Sequence, residues 1–108
     1  MALFGNHVDK LIRESVVDIR TLKINPKTAV VVNIDPIDGF FIQGELASPR
    51  LMQIAPNIVR VNEYFLLSHK LFFVDTHTSS SPELSTYPKH CIDENEQKII
   101  APLQHLTS

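Results

Sequence analysis

The feature that most limits the folds open to this chain is a pair of short apolar runs with a helical stretch between them. Ala29-Val30-Val31-Val32-Asn33-Ile34 is β-branched and almost uninterrupted, and Leu71-Phe72-Phe73-Val74 is a second run of the same character. Neither alternates with polar residues, a pattern expected of strands buried on both faces. Between them, Ser48-Pro49 has the form of a helix cap followed by proline at the first helical position. Leu51, Ala55, Ile58, Val59, Asn62, Phe65 and Leu66 then share one side of a helix predicted to reach about Ser68, with Pro56 expected to kink or restart it. Strand, helix and strand in this order predict a βαβ unit with parallel pairing and a right-handed crossover. Asp35 and Asp75, each directly after its run, would leave the sheet at one common edge, where open α/β sheets hold their ligands.

The flanking segments fit a single domain, as a length of 108 residues and a 44% hydrophobic content also predict. Leu3, Phe4, Val8, Leu11, Ile12, Val16 and Ile19 recur at three- and four-residue steps, opposite Asp9, Lys10, Arg13, Glu14 and Asp18. This predicts an amphipathic N-terminal helix within residues 1–25. Asn25-Pro26-Lys27 punctuates the chain before the first run; Asp35-Pro36-Ile37-Asp38-Gly39 ends it, and Gly44 marks a loop leading to Ser48. Thr78 to Ser81 reads as a polar loop, and Glu94 to Leu103 has room for a turn or two of helix up to Pro102. A net charge of −2, with no basic cluster interleaved with aromatics, argues against a nucleic-acid partner. The polar residues among Met1 to Arg20, and the lack of any run of about 18 apolar residues, predict no leader, no membrane span and a cytoplasmic location. The single cysteine, Cys91, agrees with a reducing compartment.

Chemistry concentrates after the second run. Asp75-Thr76-His77, then Glu83, then His90 in Tyr87-Pro88-Lys89-His90-Cys91 supply four metal-competent side chains. An Asp-x-His pair alone is a weak signal, and a polar loop with a capping acid explains it equally well. Glu83 and His90 strengthen the metal reading, and a mixed carboxylate and imidazole set suits zinc, manganese or iron. Asp35 admits two readings, a carboxylate base at a strand end or an Asx-turn that Asp35-Pro36 would also serve. Cys91 beside His90 is a poor nucleophile pair, because partners in catalysis are neighbours in space and not in sequence. Phe40 and Phe41 read as packing residues, with Phe40 also placed to stack on a flat substrate ring. His7, His69 and His105 read as surface residues.

Five blocks in order resemble the isochorismatase-like cysteine hydrolases, in particular the nicotinamidase branch. They are Val30 to Phe40, Gly44-Glu45-Leu46-Ala47-Ser48-Pro49, Phe73-Val74-Asp75-Thr76-His77, Pro82-Glu83-Leu84 and Pro88-Lys89-His90-Cys91. The resemblance covers Lys27 to Leu103 and leaves the N-terminal helix as a variable lead-in. It implies a three-layer α/β fold with a parallel sheet, of which residues 1–108 would form the N-terminal portion, truncated at the C-terminus. It further implies that Asp35 is the catalytic aspartate and that Asp75, His77, Glu83 and His90 are metal ligands. In such enzymes the metal holds the pyridine nitrogen of nicotinamide, a thiolate attacks the amide carbon, ammonia leaves, and water hydrolyses the thioester. Ile37 and Gly39 stand where the commoner block has glutamine and aspartate, which indicates a subfamily, and Leu84 stands where phenylalanine is frequent.

The triad's lysine and cysteine would lie beyond Ser108, since Cys91 belongs to the ligand block. Metal binding is therefore expected of this chain and turnover is not. A two-stranded sheet with an open apolar edge is marginal in water, so self-association or further polypeptide is expected to complete it. The competing expectation is a noncatalytic metal- or partner-binding module on the same fold.

Overall fold

The structure is a computed structural model that describes residues 3–107, with side chains described from Gly5 onward. The predicted helical-face positions Leu3 and Phe4 have side chains outside the described residues. Helix α1 spans Leu3–Ser15. Ser15 ends it, its hydroxyl donating back to the carbonyls of Leu11 (2.8 Å) and Ile12 (3.1 Å), an alternative to continuing the helix that serine readily offers. Val16 and Ile19 thus fall beyond the helix, and Leu11 and Ile12 on its apolar side remain exposed.

Strands β1 (Val30–Ile34) and β2 (His69–Phe73) form a two-stranded parallel sheet in the register Val30↔His69 through Ile34↔Phe73. Chain order and parallel pairing agree with the predicted βαβ unit, and the architecture is mixed α/β. β2 starts earlier than the apolar run, at His69 and Lys70, and ends before Val74. The expectation that both strands are buried on both faces is overturned. Val30, Val32 and Ile34 of β1, and Leu71 and Phe73 paired with the last two, lie on one face and are about half exposed or more, Ile34 to 71%. The reason is one-sided packing, because among the described residues α3 and the core pack on the face carrying Asn33 and Phe72.

The predicted long helix is two pieces. Pro49–Ile54 is a 3-10 segment, and helix α3 occupies Ala55–Tyr64 with Pro56 in its first turn. Pro56 has no N–H to give to Met52, and its ring crowds that carbonyl, so an α-helix cannot run through from Pro49. The Ala55 N–H instead closes a tighter turn on the Met52 carbonyl. Ser48 precedes the segment without a side-chain cap. α3 stops at Tyr64, where the Lys70 ammonium donates to the carbonyls of Phe65 (2.9 Å) and Ser68 (3.1 Å), a cation at a helix C-terminus. Ending there, it leaves Leu66 exposed instead of on the buried side.

The core lies between α3, a single helical turn α2 (Asp38–Phe41) and a 3-10 segment at Ala101–Leu106. Phe41, Ala55, Ile100 and Leu103 form its buried centre, with Phe40, Leu51, Ile58, Val59 and Phe72 packed around them. Residues after Glu94 contribute more than the expected turn. Ile37 and Ile99 form an antiparallel bridge, flanked by Asp38 N–H to Lys98 O (2.8 Å) and Ile100 N–H to Pro36 O (2.9 Å).

A buried pair of side chains joins sheet to helix. Asn33 of β1 and Asn62 of α3, both buried, exchange amide hydrogen bonds of 3.0 and 2.9 Å, and Asn62 Nδ2 also donates to Ile58 O at 2.9 Å. Removing one amide would strand the other in an apolar layer. Asn62→Ala is expected to lower the unfolding free energy by about 1–3 kcal/mol, read from denaturant midpoints; an unchanged midpoint would mean that the pair carries no net stability.

Candidate metal centre

Parallel pairing delivers both aspartates to one edge. Asp35 follows β1, and its N–H donates to Phe73 O (2.8 Å), so the ladder closes one residue before the chain turns away. Its φ of 55° is left-handed, a conformation aspartate tolerates better than most residues, and the Ile37 N–H returns to its carbonyl at 2.8 Å. Asp75 lies just past β2 with its carboxylate partly exposed.

The loop that follows folds back onto this edge and brings the two histidines together. The Cys91 carbonyl accepts the His77 N–H at 2.9 Å and the Gln97 side-chain amide at 2.9 Å. Gln97 also donates to Ile92 O at 3.2 Å. These contacts hold His90 beside His77, with ring centroids 4.7 Å apart in an edge-to-face arrangement. Cys91 itself has a φ of 53°, a second left-handed residue at the site and an uncommon one for cysteine. Nothing in the sequence marked Gln97 or the Cys91 carbonyl, because backbone acceptors carry no side-chain signature and a glutamine in a polar run is ordinary.

His77 Nε2 lies 3.0 Å from Asp75 Oδ2, and His90 Nε2 lies 3.6 Å from the same oxygen. Both histidine side chains are largely buried. Asp75, His77 and His90 thus each offer one donor atom to a common point, all within 4.8 Å of one another. Glu83, on a 3-10 turn at Pro82–Ser85, approaches from the other side and meets His77 Nδ1 at 2.9 Å. Of the four expected ligands, three converge, and the fourth sits behind one of them.

The donor chemistry fits a cation. His90 Nδ1 is 2.7 Å from the Pro88 carbonyl, which can only accept, so that nitrogen carries the proton. The lone pair of a neutral His90 ring then points at a carboxylate. His77 has a carboxylate oxygen against each nitrogen, and a neutral ring has one proton to share between them. An ion held by Asp75, His77 and His90 would relieve the acceptor-to-acceptor contact at His90 and leave the His77 proton to Glu83. Ligands about 2.1 Å from a tetrahedral ion lie roughly 3.4 Å apart, a spacing between the two Asp75 distances.

Phe40 is half-buried and packs on the core, and its ring stands 6.1 Å from that of His90 at 45°. It therefore borders the cluster as well as the core, whereas Phe41 is wholly a core residue. Cys91 is buried, and burial first, then the charges of Asp75, Glu96 and Asp35, push its thiol up to about 11. Burial likewise raises the Asp38 carboxyl, against the opposing charge of Lys98. Gly39 allows the close approach behind Cys91: a Cβ there would lie 3.0 Å from Glu96 Cβ and 3.2 Å from Cys91 Sγ. Comparison with protein-family models, with curated proteins and with solved structures finds no match to this chain.

A thiol moved from 9.0 to about 11 carries about 100-fold less thiolate at neutral pH. Cys91 in the folded chain is accordingly expected to react with iodoacetamide at least about 100-fold more slowly than in denaturant. Equal rates would show that the sulfur is accessible and ionised.

Proposed function

We propose that this chain binds one divalent ion through Asp75, His77 and His90, and that it is the aspartate- and metal-bearing part of a nicotinamidase-related amidohydrolase. The observation that carries the first half is the convergence of three donor atoms on one point at the carboxyl end of a parallel strand pair. Zinc suits two imidazoles and a carboxylate, with manganese and iron as alternatives. With three protein ligands, such an ion keeps a position open for a small Lewis base, here the ring nitrogen of a nicotinamide-like amide.

The remaining residues fit that use. The Asp35 carboxylate is close enough to Cys91 to raise its thiol, as is that of Asp75, so the two acids flank one region. Asp35 is the proton acceptor for an attacking thiol, and the Phe40 ring beside His90 offers a flat surface to an aromatic amide. Cys91, buried and protonated, is not that thiol, and it is the only cysteine of the 108 residues. No residue of this chain is assigned the part of that thiol or of the lysine. The exposed sheet face of Val30, Val32, Ile34, Leu71 and Phe73 supports a larger assembly, a completed three-layer sheet or a homo-oligomer, packing on this surface. Among the described residues no helix is long and apolar enough to cross a membrane. A cytoplasmic location and a small-molecule partner belong to the same proposal. The buried Cys91 also favours a second reading, a metal-binding module without turnover.

Calorimetric titration with zinc is expected to show one site per chain, lost in Asp75→Ala and His90→Ala. At about 100 times its Kd, zinc is expected to raise the unfolding free energy by about 2.7 kcal/mol. No ammonia is expected from nicotinamide with or without zinc. Absence of zinc binding would remove the metal site, and clear turnover would overturn the exclusion of Cys91 as nucleophile.

A further inference from the structure

The two histidines of the cluster share a feature that a ligand list leaves out. Each has its Nδ1 engaged by an oxygen outside the cluster: His77 by Glu83 Oε1 at 2.9 Å, His90 by the Pro88 carbonyl at 2.7 Å. Each then turns its Nε2 toward the same oxygen, Asp75 Oδ2, at 3.0 and 3.6 Å. A carbonyl and a carboxylate both accept and neither donates, so each is satisfied by a proton on the nitrogen it faces. We infer that Glu83 is a positioning residue and not a ligand: with the Pro88 carbonyl, it engages the Nδ1 of each imidazole and so turns both Nε2 atoms toward one ion.

The His90 half of this arrangement is built into the backbone. The acceptor lies two residues before the ring, and Pro88 has no N–H of its own to form a competing donor. The His77 half depends on one side chain. His77 has a carboxylate at each nitrogen, so its tautomer is a contest between Asp75 and Glu83. Glu83 Oε1 is nearer by 2.9 against 3.0 Å, a difference too small to decide the matter. What decides it is the ion, because Asp75 Oδ2 also faces His90 Nε2 and would be shared with it. A proton on His77 Nε2 would tie up the oxygen that the ion must share, whereas a proton on Nδ1 satisfies Glu83 and leaves the shared oxygen free. A carboxylate behind a metal-bound histidine also raises the basicity of the ligating nitrogen, and losing such a partner costs about 10–100-fold in metal affinity.

The His77 tautomer rests on the proposed metal reading and the His90 tautomer does not, so one experiment separates the two. Long-range proton–nitrogen NMR of the full chain, labelled at histidine, is recorded with and without zinc in alkaline buffer where free imidazole is neutral. His90 is expected as Nδ1–H in both, and His77 as Nδ1–H with zinc bound through its Nε2. Zinc affinity is expected to fall by about 10–100-fold in Glu83→Ala and by less in Glu83→Gln, whose amide oxygen still accepts from Nδ1–H. Zinc bound through His77 Nδ1 would overturn the inference. So would a Glu83→Ala affinity equal to that of the unsubstituted chain, or one abolished as completely as in Asp75→Ala. A chain that binds no zinc would sink the metal reading instead.

Discussion

The parallel register of β1 and β2 is the constraint on which the rest depends. Ile34 opposite Phe73, and the Asp35 N–H on the Phe73 carbonyl, carry both strands to the same end before the chain leaves the sheet. Asp35 and Asp75 meet at one edge for that reason alone. A slip of β1 by one residue would turn its side chains to the other face. Asn33 would then leave Asn62, and two amides would be buried without partners. The asparagine pair thus works as a register pin: a polar contact inside an apolar layer that has only one satisfactory alignment.

From that edge, the site is assembled by backbone as much as by side chains. The Cys91 carbonyl receives both His77 N–H and Gln97, and so sets His90 against His77. Left-handed backbone at Asp35 and at Cys91 marks the two points where the chain turns sharply at the cluster. Conformations of that kind persist when the surroundings over-determine them, and they gather at functional sites. Here the surroundings are named contacts: the ladder closure at Asp35, and the His77 and Gln97 bonds at Cys91.

Much of this was legible in the sequence, for physical reasons. Two β-branched runs around a helical stretch admit few arrangements, so the parallel pair, the crossover helix and the common edge of Asp35 and Asp75 could be read directly. Pro56 announced the break between the 3-10 segment and α3. Burial of the strands on both faces could not be read correctly, because an apolar run reports what a strand can bury and not what covers it. Ile34 and Phe73 stand exposed on the face turned away from α3. The metal-competent residues were visible as a set, but not the division between Asp75, His77 and His90 on one side and Glu83 on the other. That division depends on which ring nitrogen each oxygen meets, and residue identity holds no record of it.

The central claim is that one ion sits between His77 Nε2, His90 Nε2 and Asp75, with Glu83 outside its coordination sphere. Anomalous diffraction at the zinc edge from crystals grown with zinc tests it most directly. The account predicts a single strong peak about 2.1 Å from both Nε2 atoms and an Asp75 oxygen, with Glu83 still on His77 Nδ1. A peak bonded to Glu83, or no peak in this cluster, would contradict it.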